Sequence, residues 1–417
     1  MRIVVLGAGL IGTASAWFLA EDGHEVVVVD RRPGPAMETS FANGGQISVS
    51  HAEPWANPTT PLKILQWLGR DDSPLLWRLR LDAAQWGWGL RFLRECTSGR
   101  TRANIRAILA LALDSRARVK ALRRELGLDY DCLERGILHY YTDEQEFAHA
   151  ISQAEFMREY GCERIVESAA GCLAIEPALR DSTVPIVGGT YTPDDESGDA
   201  RRFTQALADR CAARGVVFRH DEVIDGIETT GGRFAAVRLA TGERIEAEVG
   251  IVALGSYTPL LLRPLGIRLP IYPAKGYSIT IPLAPDEPAP SVSLTDDEAK
   301  IVFSRLGQRL RVAGTAEFTG YDTSINAARI VPLIRRVRQV FPHLRFRDDA
   351  VEPWSGLRPA TPGNVPLIGP TSIDGLYVNS GHGTLGWTMA VGSGRLLADL
   401  VSGRAPAIDP APYRILR

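Results

Sequence analysis

Three glycines near the N-terminus have the spacing of a turn that holds a phosphate. In residues 2–30, "RIVVLGAGLIGTASAWFLAEDGHEVVVVD", the run "IVVL" predicts a buried parallel strand that ends at a glycine. Gly7 would permit the tight turn, Gly9 would let a phosphate approach the backbone, and Gly12 would let the next helix pack on the strand. The N-terminus of that helix would then offer free N–H groups and a positive dipole end to a pyrophosphate.

Asp30 stands at the end of the second strand of this unit. A carboxylate there can accept hydrogen bonds from a ribose 2′-hydroxyl, and its distance from the glycines suits a dinucleotide-binding fingerprint. The fingerprint does not choose between NAD and FAD, and Arg31 with Arg32 would also suit a 2′-phosphate. The apolar stretch 3–20 resembles a secretory signal, but a signal would leave the second strand and Asp30 unexplained.

A single arginine interrupts an uncharged run near the C-terminus. Arg358 lies in "WSGLRPATPGNVPLIG" (354–369), with no acidic residue near it in sequence. A guanidinium cannot lose its charge, so a buried Arg358 would need a neutralising partner. Its two parallel N–H donors match a carboxylate. The partner is then either a distant acid of the chain or a ligand.

Size and composition limit the classes of function. The chain has 417 residues, 47 basic and 49 acidic side chains, and a net charge of −2. That balance argues against nucleic acid as the main partner, and the length allows two or three domains or one large interrupted fold. The five cysteines contain no C-x-x-C pair. Free thiols in a reducing compartment fit this pattern better than disulfides or zinc, and we predict no metal site.

These motifs and others resemble one family over nearly the whole chain. The others are "RRPGPAMETSFANGGQIS" (31–48), "YTPDDESGDARRFTQALA" (191–208), "VALGSYTPLLL" (252–262), "YPAKGYSITIP" (272–282) and "NSGHGTLGWTMAVGSG" (379–394). Together they resemble the D-amino-acid dehydrogenases of the small-subunit type, within the wider group of flavin-dependent D-amino-acid, glycine and sarcosine oxidases. One departure is Thr361-Pro362-Gly363-Asn364, where the family tends to show T-P-D-G. Both versions suit a turn. We do not assign to this sequence any contact that the Asp makes in the family.

The resemblance implies an α/β fold in two parts. One part is an interrupted, FAD-binding, Rossmann-like domain over residues 1–50, 188–262 and 348–417. The other part is an α+β substrate domain with a mostly antiparallel sheet over residues 51–187 and 263–347. The alternating faces of "KGYSITIP" and neighbouring segments also favour antiparallel strands.

The same resemblance implies non-covalently bound FAD and oxidation of a D-amino acid by hydride transfer from Cα to flavin N5. The imino acid would hydrolyse to a 2-oxo acid and ammonia, and the electrons would pass to a respiratory quinone or another non-oxygen acceptor. Two enzymatic alternatives stay open: a glycine- or sarcosine-type oxidase, and a dehydrogenase for D-hydroxyproline or another cyclic imino acid. A non-catalytic dinucleotide-sensing protein is the alternative from another class.

The resemblance places the cofactor on the fingerprint and on further glycine-containing loops. "TSFANGGQ" would bond ribityl, phosphate and pyrimidine groups, and the loop of "SGHGTLGW" would turn its N–H groups to the N1–C2=O edge of the flavin. The adenine would lie beside Val223. The candidate cofactor-binding residues are Gly7, Gly9, Leu10, Ile11, Gly12, Asp30, Arg31, Ser40, Asn43, Gly44, Gly45, Gln46, Val223, Gly255, Gly381, Gly383, Thr384, Leu385 and Gly386.

Arg358 then acquires a natural partner in the substrate α-carboxylate and would hold the Cα–H toward the flavin. Tyr277 is a candidate to hydrogen-bond the same carboxylate, although a sheet-face aromatic would look alike in sequence. His382 would contact flavin or substrate, or else be structural. His51 and Glu53 are candidates to line the pocket for the substrate side chain, where Glu53 would favour polar or cationic groups.

Residues 61–100 contain Trp67, Trp77, Trp86 and Trp88, and carry seven basic against four acidic side chains. Tryptophan with arginine on amphipathic helices suits an anchor at a membrane interface. It suits equally a helix that is packed on a core with its arginines extended to solvent. Together with the expected quinone, this predicts a cytoplasmic protein in peripheral contact with the inner face of the membrane through 61–96.

Overall fold

The computed structural model describes residues 1–67 and 75–415. Its helices are α1 (Leu10–Glu21), α2 (Thr60–Trp67), α3 (Ala83–Glu95), α4 (Ser98–Leu126), α5 (Glu144–Arg158), α6 (Ala169–Ile175), α7 (Ala200–Ala213), α8 (Thr258–Leu262), α9 (Ala327–Val340) and α10 (Gly386–Val401). Its strands are β1 (Arg2–Leu6), β2 (Glu25–Val29), β3 (Gln46–Ile47), β4 (Leu75–Trp77), β5 (Ile137–Tyr141), β6 (Ile165–Ser168), β7 (Gly188–Thr192), β8 (Glu196–Ser197), β9 (Val217–Arg219), β10 (Ile224–Thr230), β11 (Arg233–Leu239), β12 (Arg244–Glu246), β13 (Val249–Val252), β14 (Tyr272–Pro282), β15 (Ser293–Asp296), β16 (Ile301–Leu306), β17 (Arg309–Phe318), β18 (Glu352–Ala360), β19 (Leu367–Pro370) and β20 (Leu376–Ser380).

The fingerprint forms the centre of a mostly parallel sheet. The strand order is β19-β20-β13-β1-β2-β9, and only the β19–β20 pair in it is antiparallel. Successive side chains of β1 point to opposite faces, and both faces are buried, as is usual for a parallel sheet with two covered faces. Ile3 and Val5 lie in the core with α1, α4, α7 and α10, while Val4 and Leu6 pack with the β10–β12 meander.

The second sheet is mostly antiparallel and has two unlike faces. Its order is β18-β14-β17-β16-β15-β5-β7-β6, with β4 also paired to β17. Along β14, Tyr277, Ile279 and Ile281 turn to an apolar core that includes residues of α9. Gly276 and Ser278 alternate with them and so face the other way, toward the first sheet and its loops. The α/β fold with a mostly antiparallel second sheet is therefore as predicted.

Three elements lie elsewhere than the predicted domain boundaries put them. β7, from the range 188–262, pairs with β5 and β6, and β18, from the range 348–417, pairs with β14, so both strands belong to the second sheet. α4, from the range 51–187, packs on the first domain through Ile105 and Ile108. Boundaries drawn along the chain missed these exchanges because strand pairing and helix docking join residues that are distant in sequence.

The predicted membrane-contact segment 61–96 is only partly described: residues 68–74 and the side chain of Trp67 lie outside the described residues. Trp77 and Trp88 pack on Phe318, with ring centroids 4.9 and 5.0 Å from it. Trp86 is half exposed. Across the described ranges, none of the helices combines the length and the apolar character that crossing a bilayer requires.

Candidate functional site

The carboxyl ends of the first sheet and the polar face of the second enclose a cavity of about 1160 Å³. Single-ligand pockets usually have about 300–1000 Å³, so the cavity has room for a cofactor together with a small substrate. With the exception of Gly12 and Gly381, every residue that we predicted for the site lines this cavity.

The fingerprint glycines are required by close backbone contacts. Gly7 has φ +109°, and a Cβ on it would lie 2.7 Å from the Ala253 carbonyl oxygen. A Cβ on Gly12 would overlap the Gly7 oxygen, so Gly12 serves the packing of α1 on β1, and it is not among the residues that line the cavity. Gly9 caps α1, and the Leu10 N–H donates to Ser40 Oγ at 3.2 Å. The turn thus brings the N-terminus of α1, a favourable place for phosphate, to the cavity.

Asp30 braces the same turn and borders the cavity. Its Oδ2 accepts the Ala8 N–H at 2.7 Å and its Oδ1 accepts the Arg32 N–H at 2.8 Å. Each carboxylate oxygen has a second lone pair, which leaves an acceptor for a ribose hydroxyl. Arg31 and Arg32 both contact Glu38 at 2.7 Å. The two arginines therefore share one carboxylate, Glu38, at the edge of the turn.

Loop 40–46 lies between the first sheet and the polar face of the second. A Cβ on Gly44 would lie 2.7 Å from Val302 Cγ2, and Gly45 has φ +73°. The Gln46 amide donates to Ser293 Oγ at 3.0 Å, so Gln46 ties the loop to β15. The carbonyls of the loop are also capped by the second sheet: Ala42 O by Ser278 Oγ at 2.7 Å, Asn43 O by Arg311 Nη1 at 3.0 Å, and Gly44 O by Ser304 Oγ at 2.7 Å.

Three further cofactor candidates lie in connections at the rim of the first sheet. Val223 is 53% exposed, and its carbonyl accepts the Ala240 N–H at 2.8 Å. Gly255, with φ +54°, begins a short 3₁₀ turn after β13. Gly381, with φ +87°, is needed because a Cβ there would lie 2.7 Å from Thr361 Cγ2.

His382 begins the short turn before α10 and has unsatisfied polar atoms. Its side chain is buried, and neither ring nitrogen has a hydrogen-bond partner in the described part of the chain. Burial lowers the pKa of His382 to about 3, so the imidazole is neutral at pH 7. Asn379 Oδ1 and Thr315 Oγ1, which also belong to cavity-lining residues, lack partners as well. Buried polar groups normally find partners, so these atoms fit a bound ligand with polar edges, such as FAD.

Arg358 lies in β18 with its guanidinium in the cavity wall over Gly276, where a Cβ would overlap Arg358 Cζ. Nη1 donates to the Thr315 carbonyl at 3.0 Å. Among residues 1–67 and 75–415, no carboxylate lies within ion-pair distance of it, and burial lowers the pKa of Arg358 to about 10. Thr315 forms the bulge between β14 and β17 with φ +57°. The counter-charge of Arg358 is therefore absent from the described protein.

Tyr277 borders the cavity, but its hydroxyl points away from Arg358. In the antiparallel pair β14–β18, Arg358 lies opposite Ala274, so Gly276 shares its face and Tyr277 does not. The Tyr277 hydroxyl donates to Glu317 at 2.6 Å on the other face. The structure does not bring Tyr277 and Arg358 together on one carboxylate.

A polar wall carries His51 and Glu53. The His51 ring stacks on His139 with centroids 5.6 Å apart, and burial lowers the pKa of His51 to about 4. His139 Nδ1 lies 2.9 Å from Asp297 Oδ2. Glu53 is 3.3 Å from His149 Nε2 and raises the pKa of His149. Glu53 thus forms an ion pair with His149 at the rim of the cavity when His149 is protonated.

The turn that departs from the family pattern leaves Arg358 in place. Asn364 takes a left-handed conformation, with φ +60°, and its Oδ1 accepts the Trp55 N–H at 3.2 Å. β18 stays in register with β14 as far as Ala360, beyond Arg358. The side chain of Asn364 therefore ties the turn to a cavity-lining loop without disturbing the strand that holds the arginine.

The polar face of the second sheet and two buried arginines were not predicted from the sequence. The alternation of Ser278 and Thr280 with isoleucines in "YSITI" was the available signal for the face. Arg311 is 5% exposed, as is Arg164, which donates to Tyr141 Oη at 3.0 Å. Nothing in the sequence around either arginine distinguishes it from a surface arginine.

Comparisons with known proteins agree with this geometry. A family model described as FAD dependent oxidoreductase matches residues 2–400. A D-amino acid dehydrogenase of Dechloromonas aromatica (strain RCB) is 58% identical over 97% of this chain and 98% of its own, and one of Paramagnetospirillum magneticum (strain AMB-1) is 55% identical over 98% and 97%.

Solved structures share the fold. Glycine oxidase from Geobacillus kaustophilus superposes with a TM-score of 0.79 at 23% identity, covering 100% of this chain and 99% of its own. L-Proline dehydrogenase from P. horikoshii superposes with a TM-score of 0.76 at 17% identity, covering 97% and 94%. A dinucleotide fingerprint, unpartnered polar atoms that fit FAD, and a family match over nearly the whole length lead to one conclusion: the chain is an enzyme of the FAD-dependent oxidoreductase family.

Proposed function

We propose that the protein oxidises D-amino acids to imino acids, which hydrolyse to 2-oxo acids and ammonia, and passes the electrons to a quinone or another acceptor than oxygen. The D-amino acid dehydrogenases at 58% and 55% identity support this substrate class. The observation that carries the proposal is Arg358, a desolvated cation without a counter-ion among the described residues, in a cavity that fits FAD. Its missing partner is the α-carboxylate of the substrate.

The residues of the chain act by binding and orienting. When bound, FAD supplies the redox chemistry by accepting two electrons and the hydrogen of Cα. The guanidinium of Arg358 gives the carboxylate two donors, and its bond to the Thr315 carbonyl limits its rotation. His51 and His382 are neutral at pH 7 because burial lowers their pKa. They therefore place no competing positive charge beside the substrate amine, which must be uncharged when it reacts.

The deciding experiment is anaerobic reduction of the purified yellow protein by D-alanine, D-proline, D-arginine, D-phenylalanine and their L-enantiomers. We expect bleaching of the flavin absorbance by D-amino acids only. Bleaching by L-forms alone, or by none of these amines, would refute the proposed substrate class. In air, reduction by D-alanine should yield little peroxide, whereas stoichiometric peroxide would identify an oxidase.

We also propose that the protein touches the inner face of the cytoplasmic membrane through the part of 61–96 that is described. α3 is apolar on two sides: Trp88 and Phe92 are buried in the protein, and Trp86, Leu90 and Leu93 are each more than half exposed. The exposed set recurs at intervals of four and three residues, so it forms one face. The neighbouring Arg91 and Arg94 are exposed too and would face anionic headgroups.

Flotation of the FAD-loaded protein with vesicles of phosphatidylglycerol and phosphatidylcholine tests this contact. Wild-type protein should float at low salt, and a Leu90→Ser/Leu93→Ser variant should float several-fold less. Val331→Ser is the matched control because Val331 is 51% exposed on α9, outside the proposed contact. If wild type stays wholly soluble, or if the control loses as much binding as the α3 variant, the proposed surface is wrong.

A further inference from the structure

We propose that Arg311 is a positioning residue for the cofactor: together with Ser278 and Ser304 it orients loop 40–46, and its charge favours the reduced form of the bound FAD. The inference rests on the family's cofactor and not on the identity of the substrate.

The three side chains come from three strands that are joined in one ladder. Ser304 of β16 lies directly opposite Arg311 of β17, and Arg311 lies directly opposite Thr280 of β14. Residues opposite each other in an antiparallel pair share a face, and Ser278 shares it too, two residues before Thr280. The sheet thus presents a hydroxyl, a guanidinium and a second hydroxyl toward the loop.

These donors satisfy three consecutive carbonyls, those of Ala42, Asn43 and Gly44, at 2.7, 3.0 and 2.7 Å. In a trans peptide the C=O and the following N–H point in opposite directions. Carbonyls held against the sheet therefore turn the N–H groups of Asn43 and Gly44 away from the sheet, and both residues line the cavity. The second sheet in this way prepares donors for the cofactor.

The charge of Arg311 requires a further explanation. Arg311 is 5% exposed, and burial lowers its pKa to about 10. Its Nε bonds Thr280 Oγ1 at 2.9 Å and its Nη1 bonds the Asn43 carbonyl. In the part of the chain that the structure describes, no carboxylate is within ion-pair distance of it, and Asp199 is engaged with Arg309 at 2.9 Å.

A serine would cap the same carbonyl without the cost of burying a cation. The cation has an effect that a serine lacks: it polarises the Asn43–Gly44 peptide and strengthens the Gly44 N–H as a donor toward the cavity. FAD gains negative charge when it takes up two electrons and one proton. A strengthened donor and a nearby cation both favour that state, so Arg311 should raise the reduction potential of the bound FAD.

The test compares Arg311→Met, which removes the charge, with Arg311→Lys, which keeps it, in the FAD-loaded protein. Arg305→Met is the control, because Arg305 lies on β16 outside the cavity and bonds the Gly307 carbonyl at 3.3 Å. The reduction potential of the bound FAD is measured by equilibration with a reference dye. The affinity for FAD is measured by dilution and ultrafiltration. Neither readout uses an amino-acid substrate, so the outcome is independent of the proposed activity.

We expect Arg311→Met to bind FAD at least tenfold more weakly and to be at least tenfold harder to reduce, which is about 30 mV for a two-electron couple. Arg311→Lys should recover the potential. If Arg311→Met does not retain FAD, Arg311→Gln replaces it, since it keeps a donor without the charge. The proposal would be overturned if the uncharged variant had the reduction potential of wild type. It would also be overturned if Arg305→Met lowered the reduction potential and the FAD affinity as much as Arg311→Met does.

Discussion

Replacing Arg358 with leucine should weaken substrate binding without destabilising the fold. Removing one member of a buried ion pair usually lowers the free energy of unfolding by about 3–5 kcal/mol, because the other charge is left unpaired. Within the described residues Arg358 leaves no carboxylate behind; it leaves only the Thr315 carbonyl, which accepts its Nη1. The two roles open to Arg358 therefore predict different effects of its replacement: a structural ion pair predicts a large loss of stability, and a ligand-binding cation predicts little change.

The magnitudes follow from the same contacts. An unsatisfied buried carbonyl costs about 1–3 kcal/mol. Against this, burial lowers the pKa of Arg358 from 12.5 to about 10, which at 1.36 kcal/mol per unit corresponds to about 3 kcal/mol of destabilisation that leucine removes. The net change in unfolding free energy should be near zero. Losing a buried, charged contact to the substrate should cost about 2 kcal/mol or more, roughly thirty-fold or more in the dissociation constant.

Anaerobic stopped-flow reduction of FAD-loaded protein by D-alanine separates binding from the limiting rate, and urea denaturation measures the unfolding free energy. Arg358→Leu should raise the dissociation constant while FAD stays bound, and Arg358→Lys should fall between it and wild type because a lysine keeps the charge but not the fork. Arg305→Leu is the control, because it makes the same change in the same sheet outside the cavity. It should alter neither the dissociation constant of the substrate nor the unfolding free energy. An unchanged dissociation constant in Arg358→Leu, or a loss of 3 kcal/mol or more in stability, would refute the reasoning.

Three further results are expected. Burial lowers the pKa of His382 to about 3 and that of His51 to about 4 in the folded protein, from an ordinary value of 6.5. Because the unfolded chain then binds more protons than the folded protein between about pH 6.5 and pH 4, the unfolding free energy should decrease as the pH falls, by up to about 1.4 kcal/mol per pH unit for each imidazole. Denaturation at pH 7, 6 and 5 should show a smaller decrease in His382→Leu than in wild type. Gly12→Ala should lose FAD, seen as flavin absorbance per protein, because its Cβ would overlap a carbonyl oxygen, whereas Gly34→Ala, with nothing within 4 Å of its Cβ, should keep it; equal FAD content would contradict the packing argument. Thr315→Gly should not lower the melting temperature, because a threonine at φ +57° is strained by about 1–2 kcal/mol and a glycine is not; a fall of several degrees would show that the strain is overestimated.

The local parts of the site were predictable from sequence. A turn of three glycines, a strand that ends in an acid and a helix start are specified within thirty residues, by allowed φ/ψ values and by hydrophobic period. Gly7, Gly9 and Asp30 accordingly lie at the cavity, and Gly12 packs α1 on β1. The apolar run around Arg358 likewise marks an unusual arginine, because a charge with uncharged neighbours on both sides is visible in the order of the residues alone.

Domain membership was less predictable, because β7, β18 and α4 are exchanged between the two parts. A strand from any part of the chain can pair with an open sheet edge, because the energy of a backbone hydrogen bond does not depend on how far apart the two residues are in sequence. The side of the sheet on which Tyr277 lies was likewise undetermined, since a shift of one residue in register would reverse it.

The sequence by itself determined that this chain has a dinucleotide-binding unit and a charged group in an apolar run, since both are patterns of neighbouring residues. Only the tertiary structure decided that Arg358 has no carboxylate in reach among the described residues, and that Arg311 lies beneath the cofactor loop. The physical reason is the range of the interactions. Backbone conformation and periodicity act over a few residues, whereas a missing counter-charge is a property of everything that the fold brings within about 4 Å.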